Sequence, residues 1–143
     1  MIPSFKQFLA VNEAAKYTNN KNHSLIAMHG LSLRDQVHLF HWQTEIGDQH
    51  KALGEFYEDF IEKLDDLMEA IMGKYGRISV ASIGTPKPLV DLKSVNVEDF
   101  IGEQTNIFNE FKESTFSKDP EILNIIDEIL ASIEKLKYLL TMS

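Results

Sequence analysis

HWQTEIGDQHKALGEFYEDFIEKLDDLME, residues 41–69, decides the fold of this chain. Within it Leu53, Phe56, Phe60, Leu64 and Leu67 recur at steps of three and four, and Ile71 continues the series. Such spacing puts every apolar side chain on one stripe, as in a helix buried along one side in a bundle. Gly47 gives a turn just before the stripe and Asp48 is placed as an N-cap, so the pattern predicts a helix over 49–74. The residues ahead of Gly47 close an earlier helix. His41 and His50 therefore flank the turn between two helices.

Upstream, Ile26, Leu33, Val37 and Phe40 form the buried face of a helix running from His23 or Ser24 to about Thr44. His38 and His41 lie beside that face, three residues apart, and Glu45 follows His41 by four, so all three share one edge. Gly30 weakens this helix by roughly 1 kcal/mol relative to alanine, which marks the close approach of another backbone. His29 reads as an ordinary boundary histidine. Residues 3–17, with Phe5, Phe8 and Leu9 on one side, predict a short leading helix that ends in the polar turn 18–22. Docking onto the bundle and service as an interaction arm are both open to it.

Downstream, the pattern lapses from Gly73 to about Asn96, where Gly76, Gly84, Pro86 and Pro88 preclude a long helix. The stretch Arg77 to Ile83 has room for one turn or a short extended piece. The connection is long for neighbouring elements, but a helix of this length spans nearly 40 Å at about 1.5 Å per residue, and a crossover from end to end uses the chain fully. Asn96 caps a third helix bearing Val97, Phe100, Ile101, Ile107, Phe108 and Phe111. Asp119 as N-cap and Pro120 at the first position start a fourth, with Ile122, Ile126, Ile129, Ile133, Leu136 and Leu140. The expected architecture is all-α: one domain over 1–143, a ferritin-like four-helix bundle with a long crossover between helices two and three.

Composition narrows the function classes. The net charge is −8 and the lysines are scattered, which opposes attraction to DNA or to an anionic membrane surface. No apolar run approaches the roughly 18 residues a membrane span needs, and the N-terminus lacks the pattern of a signal peptide, so cytoplasm is the expected compartment. With no cysteine, any metal must be held by His, Asp and Glu.

Taken singly, His38 or Glu62 is best read as a hydrogen-bonded or solvated side chain. The combination of His41, His50, Asp65 and Glu69 says more. The two histidines can meet across the turn, and Asp65 and Glu69 stand one helical turn apart and can share an ion. Yet His50 and Asp65 are fifteen residues apart on one helix, about 22 Å, whereas metal–ligand bonds are about 2 Å. One chain cannot bring all four to one ion. A two-fold axis relating antiparallel copies of the second helix would build two equivalent sites, each with histidines from one chain and carboxylates from the other.

These residues resemble the motif of the Dps-like ferritins, or mini-ferritins: His41-Trp42, a glycine turn at Gly47, a second histidine at His50, then Asp65 and Glu69 four residues apart. The likeness covers residues 24–74 and, more weakly, Asp119 to Leu140; the short length fits phage-encoded relatives, which would place the chain in the host-cell cytoplasm. It implies a homo-oligomer with two-fold interfaces, a shell of twelve subunits, and a ferroxidase that oxidises Fe(II) with peroxide or oxygen and stores the product. By that resemblance His41, His50, Asp65 and Glu69 are the metal ligands and catalytic residues, with zinc or manganese as substitutes for iron. Trp42 would intercept oxidising equivalents, or simply pack in the core. Two departures stand out. The family usually has a further Asp one turn after the second histidine, where this chain has Gly54, and the interval from His41 to His50 is short. Glu45 or Glu58 would have to compensate. The lysine-rich tail by which some members bind DNA is absent.

Other classes compete. A noncatalytic helical assembly protein would keep the fold and lose the chemistry, which Gly54 and the trimmed turn favour. A histidine phosphotransfer domain is also a four-helix bundle, but His50-Lys51-Ala52-Leu53-Gly54 matches its site only faintly.

Overall fold

The computed structural model describes residues 4–6, 17–81, 83 and 87–143. Among them lie four long helices and no strand: α1 (Lys21–Gln43), α2 (Gly47–Tyr75), α3 (Val97–Thr115) and α4 (Pro120–Leu140), with a single 3-10 turn at Leu92–Ser94. The protein is an all-helical bundle. The leading helix expected over 3–17 falls, apart from residues 4–6 and 17, outside the described residues. Tyr17 itself makes an isolated parallel bridge to Arg77, and Thr18 N–H donates to the Arg77 carbonyl at 2.9 Å.

The helix boundaries follow local chemistry. α1 starts earlier than apolar spacing suggests because the Asn20 side chain accepts from the Asn22 amide at 2.9 Å. α2 starts at Gly47, with Ile46 in the capping position, so Asp48 is not the N-cap; it sits in the first turn, where a carboxylate suits the amide end of the helix. Asn96 caps α3 as expected, accepting from Asp99 N–H at 3.0 Å. Pro120 opens α4 as expected, but Asp119 makes no capping bond with its side chain. Its carboxylate is taken by Lys74 and by the Tyr75 hydroxyl at 2.7 Å, from the last turn of α2.

The α2 stripe is buried as its spacing predicts: Leu53, Phe56, Phe60, Leu64, Leu67 and Ile71 all lie in the core. It meets Ile26, Leu33, Val37 and Phe40 of α1 and the isoleucine row of α4. Each such side chain contributes about 1.5–3 kcal/mol when removed from water, so this core dominates what holds the helices together. Gly30 is close not to another backbone, as expected, but to the Leu64 side chain: a Cβ there would run into Leu64 Cδ1. α1 also buries His23, Ser24 and Gln36, which blurs its apolar pattern.

Neighbouring helices run antiparallel. Asp59 of α2 meets Ser132 of α4, as Tyr75 meets Asp119. Thr105 and Lys112 of α3 bond to Glu134 and Asp127 of α4. Asn22 at the start of α1 reaches Thr115 at the end of α3, while Phe40 packs edge-on to Phe100 near the opposite ends. The connection leaves α2 at Gly76, with φ 103°, and its later part lies on α1. There the buried Gln36 amide both donates to and accepts from Val90, and Gln43 does the same with Asp91 and the Leu92 amide.

At the end where α1 begins and α2 finishes, His23 stacks on Phe116 at 5.4 Å and leans on Tyr75 at 4.6 Å, with Nδ1 2.8 Å from the Thr18 hydroxyl. Burial holds its pKa below the usual value, opposed only in part by the charge of Asp119. His29, bonded to Gln104 and packed on Phe108, is lowered by burial too. A histidine with a lowered folded pKa takes up its proton more readily in the unfolded chain. Its stabilising contribution is present above about pH 6.5 and is lost as pH falls below that value toward the folded pKa. Thermal melts should show stability declining from about pH 7 to about pH 5. His23→Phe, which keeps a ring against Tyr75 and Phe116, should flatten that decline and leave the share due to His29.

Candidate metal centre

The α1–α2 turn is closed by two histidines that hold each other's backbone. His41 Nδ1 lies 2.7 Å from the His50 carbonyl, and His50 Nδ1 lies 2.7 Å from the His41 carbonyl. A carbonyl only accepts, so each Nδ1 carries a proton, and in the neutral ring Nε2 holds the lone pair. The His41 carbonyl belongs to the last turn of α1, where carbonyls lack an intrahelical donor; His50 supplies one. The imidazoles stack at 3.9 Å between centroids with 17° between planes, His41 half-buried and His50 exposed. Thr44 and Gln49 tie the turn further, with Oγ1 donating to Oε1 at 2.6 Å.

Room for the His41 ring comes from Gly54, one turn after His50. A Cβ at 54 would lie 2.8 Å from His41 Cε1 and 3.0 Å from Nδ1. Nothing in the sequence pairs positions 41 and 54 in this way; only the packing of the hairpin does.

A second aromatic group adjoins the pair. His38 stacks on Tyr57 at 4.0 Å and 20° and meets Trp42 at 4.2 Å. Trp42 is 66% exposed, so it is not a core residue. Tyr57 carries no metal-ligand signal in the sequence and was legible only as the neighbour of the core residue Phe56.

Asp65 and Glu69 are both exposed on α2, and among the described residues neither side chain forms a hydrogen bond or ion pair. α2 runs without interruption from His50 past both, so they stand about 22 Å or more from the imidazoles. Among the described residues no three His, Asp or Glu side chains of one chain are grouped to hold a metal, so Glu45 and Glu58 do not complete the pair. The structure thus brings His41 and His50 together and leaves Asp65 and Glu69 apart from them.

A groove of about 830 Å³ between α2 and α4 lies elsewhere. Glu55, Asp59, Lys63, Glu128, Ser132 and Lys135 are its polar lining, and within it Asp59 takes Lys63 at 2.5 Å and Ser132 at 2.6 Å. Burial pushes the Asp59 pKa up, but these bonds and the charges of Lys63 and Lys135 outweigh it and hold the carboxyl below its usual range. A carboxylate so occupied is a poor ligand. The histidine pair, with unused nitrogens, is the better candidate.

A family model matches residues 41–140, a stretch that includes both histidines and both acids; it describes a family of unknown function (DUF5856). No curated protein and no solved structure matches the chain.

Trp42 is the single tryptophan, so its fluorescence reports on this corner alone. His38→Ala should shift the Trp42 emission and, in a denaturant melt, lower stability by about 0.5–1.5 kcal/mol for each ring pair removed. An unchanged spectrum would separate Trp42 from the histidine cluster.

Proposed function

The chain belongs to the DUF5856 family, and from its own residues we propose that it is an iron-handling protein of the Dps-like ferritin type. It would bind Fe(II) as substrate and pass its electrons to peroxide or oxygen. The observation that carries this reading is the His41–His50 pair, whose Nδ1–H groups are donated to backbone carbonyls so that both Nε2 atoms are presented as donors to a metal. Metal-binding histidines are held in this way, by a bond from the other ring nitrogen. Imidazole with carboxylate suits iron, and zinc or manganese as substitutes.

The helix arrangement supports a ferritin-like bundle. Around the bundle the order is α1, α2, α4, α3, each antiparallel to its neighbours, and residues 90–92 lie against the end of α1 remote from Tyr75. A connection that leaves one end and reaches α3 at the other would fit a crossover of that topology. In this reading the remaining ligands, Asp65 and Glu69, come from a partner subunit across a two-fold axis, within a shell of the dodecameric kind. Two ferrous ions would each lose one electron; peroxide would take both with two protons and leave as water. Trp42, exposed beside the pair, would meet stray oxidising equivalents.

A noncatalytic assembly protein is the second reading, favoured by Gly54 in place of a carboxylate. Ferrous oxidation by peroxide separates the two. His50→Ala and Asp65→Ala should each lose most of the wild-type rate. Co-assembly of the two variants should restore part of it, because one intact site then forms from the two chains. Equal rates in all three proteins would reject the ferroxidase.

A further inference from the structure

Gly54 lies inside α2 with no need of glycine's backbone freedom: among the described residues Gly76 is the glycine with positive φ. A glycine within a helix weakens it, so its presence calls for another cause. The cause in this structure is space. The His41 ring lies where a side chain at 54 would begin, 2.8 Å from Cε1 and 3.0 Å from Nδ1.

We propose that Gly54 is the positioning residue of the histidine pair, and that its missing side chain is what fixes both imidazoles with Nε2 as the metal-facing nitrogen. The chain of cause is short. With any Cβ at 54, His41 must move, because contacts under about 3 Å are not tolerated and the imidazole is the mobile end of its side chain. Moving it breaks the bond from His41 Nδ1 to the His50 carbonyl, and with it the stack that aligns His50. Loss of that bond releases the tautomer, since only the Nδ1–H···O=C contact dictates it. A carboxylate ligand at 54 and the His41 ring in this place exclude each other. The turn therefore holds an imidazole where a side-chain carboxylate at 54 would sit, which tilts its donors toward nitrogen and toward ions such as Zn²⁺. The metal consequence rests on the proposed metal-binding role of the pair; the tautomer consequence does not.

The test uses the intact protein and Zn²⁺ alone as probe. Nitrogen NMR in mildly alkaline buffer should show Nδ1–H on both His41 and His50 in wild type. In Gly54→Ala the His41 signal should lose that form while circular dichroism shows the helices intact. Zn²⁺ affinity should fall roughly 10–100-fold in Gly54→Ala, as when an outer partner of a ligating histidine is removed. In the His41→Ala background, where the ring is gone, the same glycine substitution should stabilise the helix, as alanine does in place of glycine, and leave Zn²⁺ affinity unchanged. Retention of Nδ1–H on both rings in Gly54→Ala would overturn the proposal, as would an equal loss of affinity in both backgrounds. Absence of Zn²⁺ binding in wild type would reject the metal reading, and the tautomer measurement would still decide the role of Gly54.

Discussion

The constraint on which the rest depends is the stiffness of α2, an unbroken helix of 29 residues, about 43 Å long. One side of it is committed to the core from Leu53 to Ile71, so its rotation about its own axis is fixed. That rotation decides what the remaining positions can do. His50 must come up beside the end of α1. Asp65 and Glu69 must emerge on the surface well along the rod. No side-chain adjustment closes a gap of about 22 Å, so the separation of imidazoles from carboxylates is a property of the fold.

Burial and polar bonds divide the labour. The apolar rows of α1, α2 and α4 supply most of the free energy, at about 1.5–3 kcal/mol per large side chain. Exposed ion pairs such as Lys112–Asp127 add no more than about 1 kcal/mol each. The reciprocal histidine bonds are also modest in energy, about 1 kcal/mol apiece. Their effect is geometric: they fix the turn, the ring planes and the tautomers together, which no amount of apolar burial at that corner would do.

The parts of the fold governed by periodicity were legible in the sequence. Steps of three and four named the buried residues of α2 and α4, and Asn96 and Pro120 marked where α3 and α4 begin. Side chains with two possible jobs were not. Asp119 stands where an N-cap belongs, yet its carboxylate goes to Lys74 and Tyr75, because packing brings the last turn of α2 against it. Gln36 and Gln43 gave no signal, since a glutamine that grips a remote loop has the same spacing as one in solvent. At the candidate site the meeting of His41 and His50 followed from two helices and a tight turn. The crossing of their hydrogen bonds and the space at Gly54 did not, because both depend on how closely the helices approach.

The two ends of the bundle show why the chemistry belongs at the turn. At the far end His23, Lys74, Tyr75 and Asp119 form a comparable group of polar side chains, with Asp119 the most buried carboxylate among them. The carboxylate there is already engaged: Asp119 is held by an ammonium and a phenol. Tyr75 and Lys74 have their pKa values raised first of all by bonds to that carboxylate, a sign of groups locked to each other. An ion arriving there would have to displace those bonds. The α1–α2 turn differs, because it brings two imidazoles together, stacked at 3.9 Å and each bonded through Nδ1 to a backbone carbonyl. One end of the bundle is fastened through a buried carboxylate; the other is fastened through a pair of imidazoles.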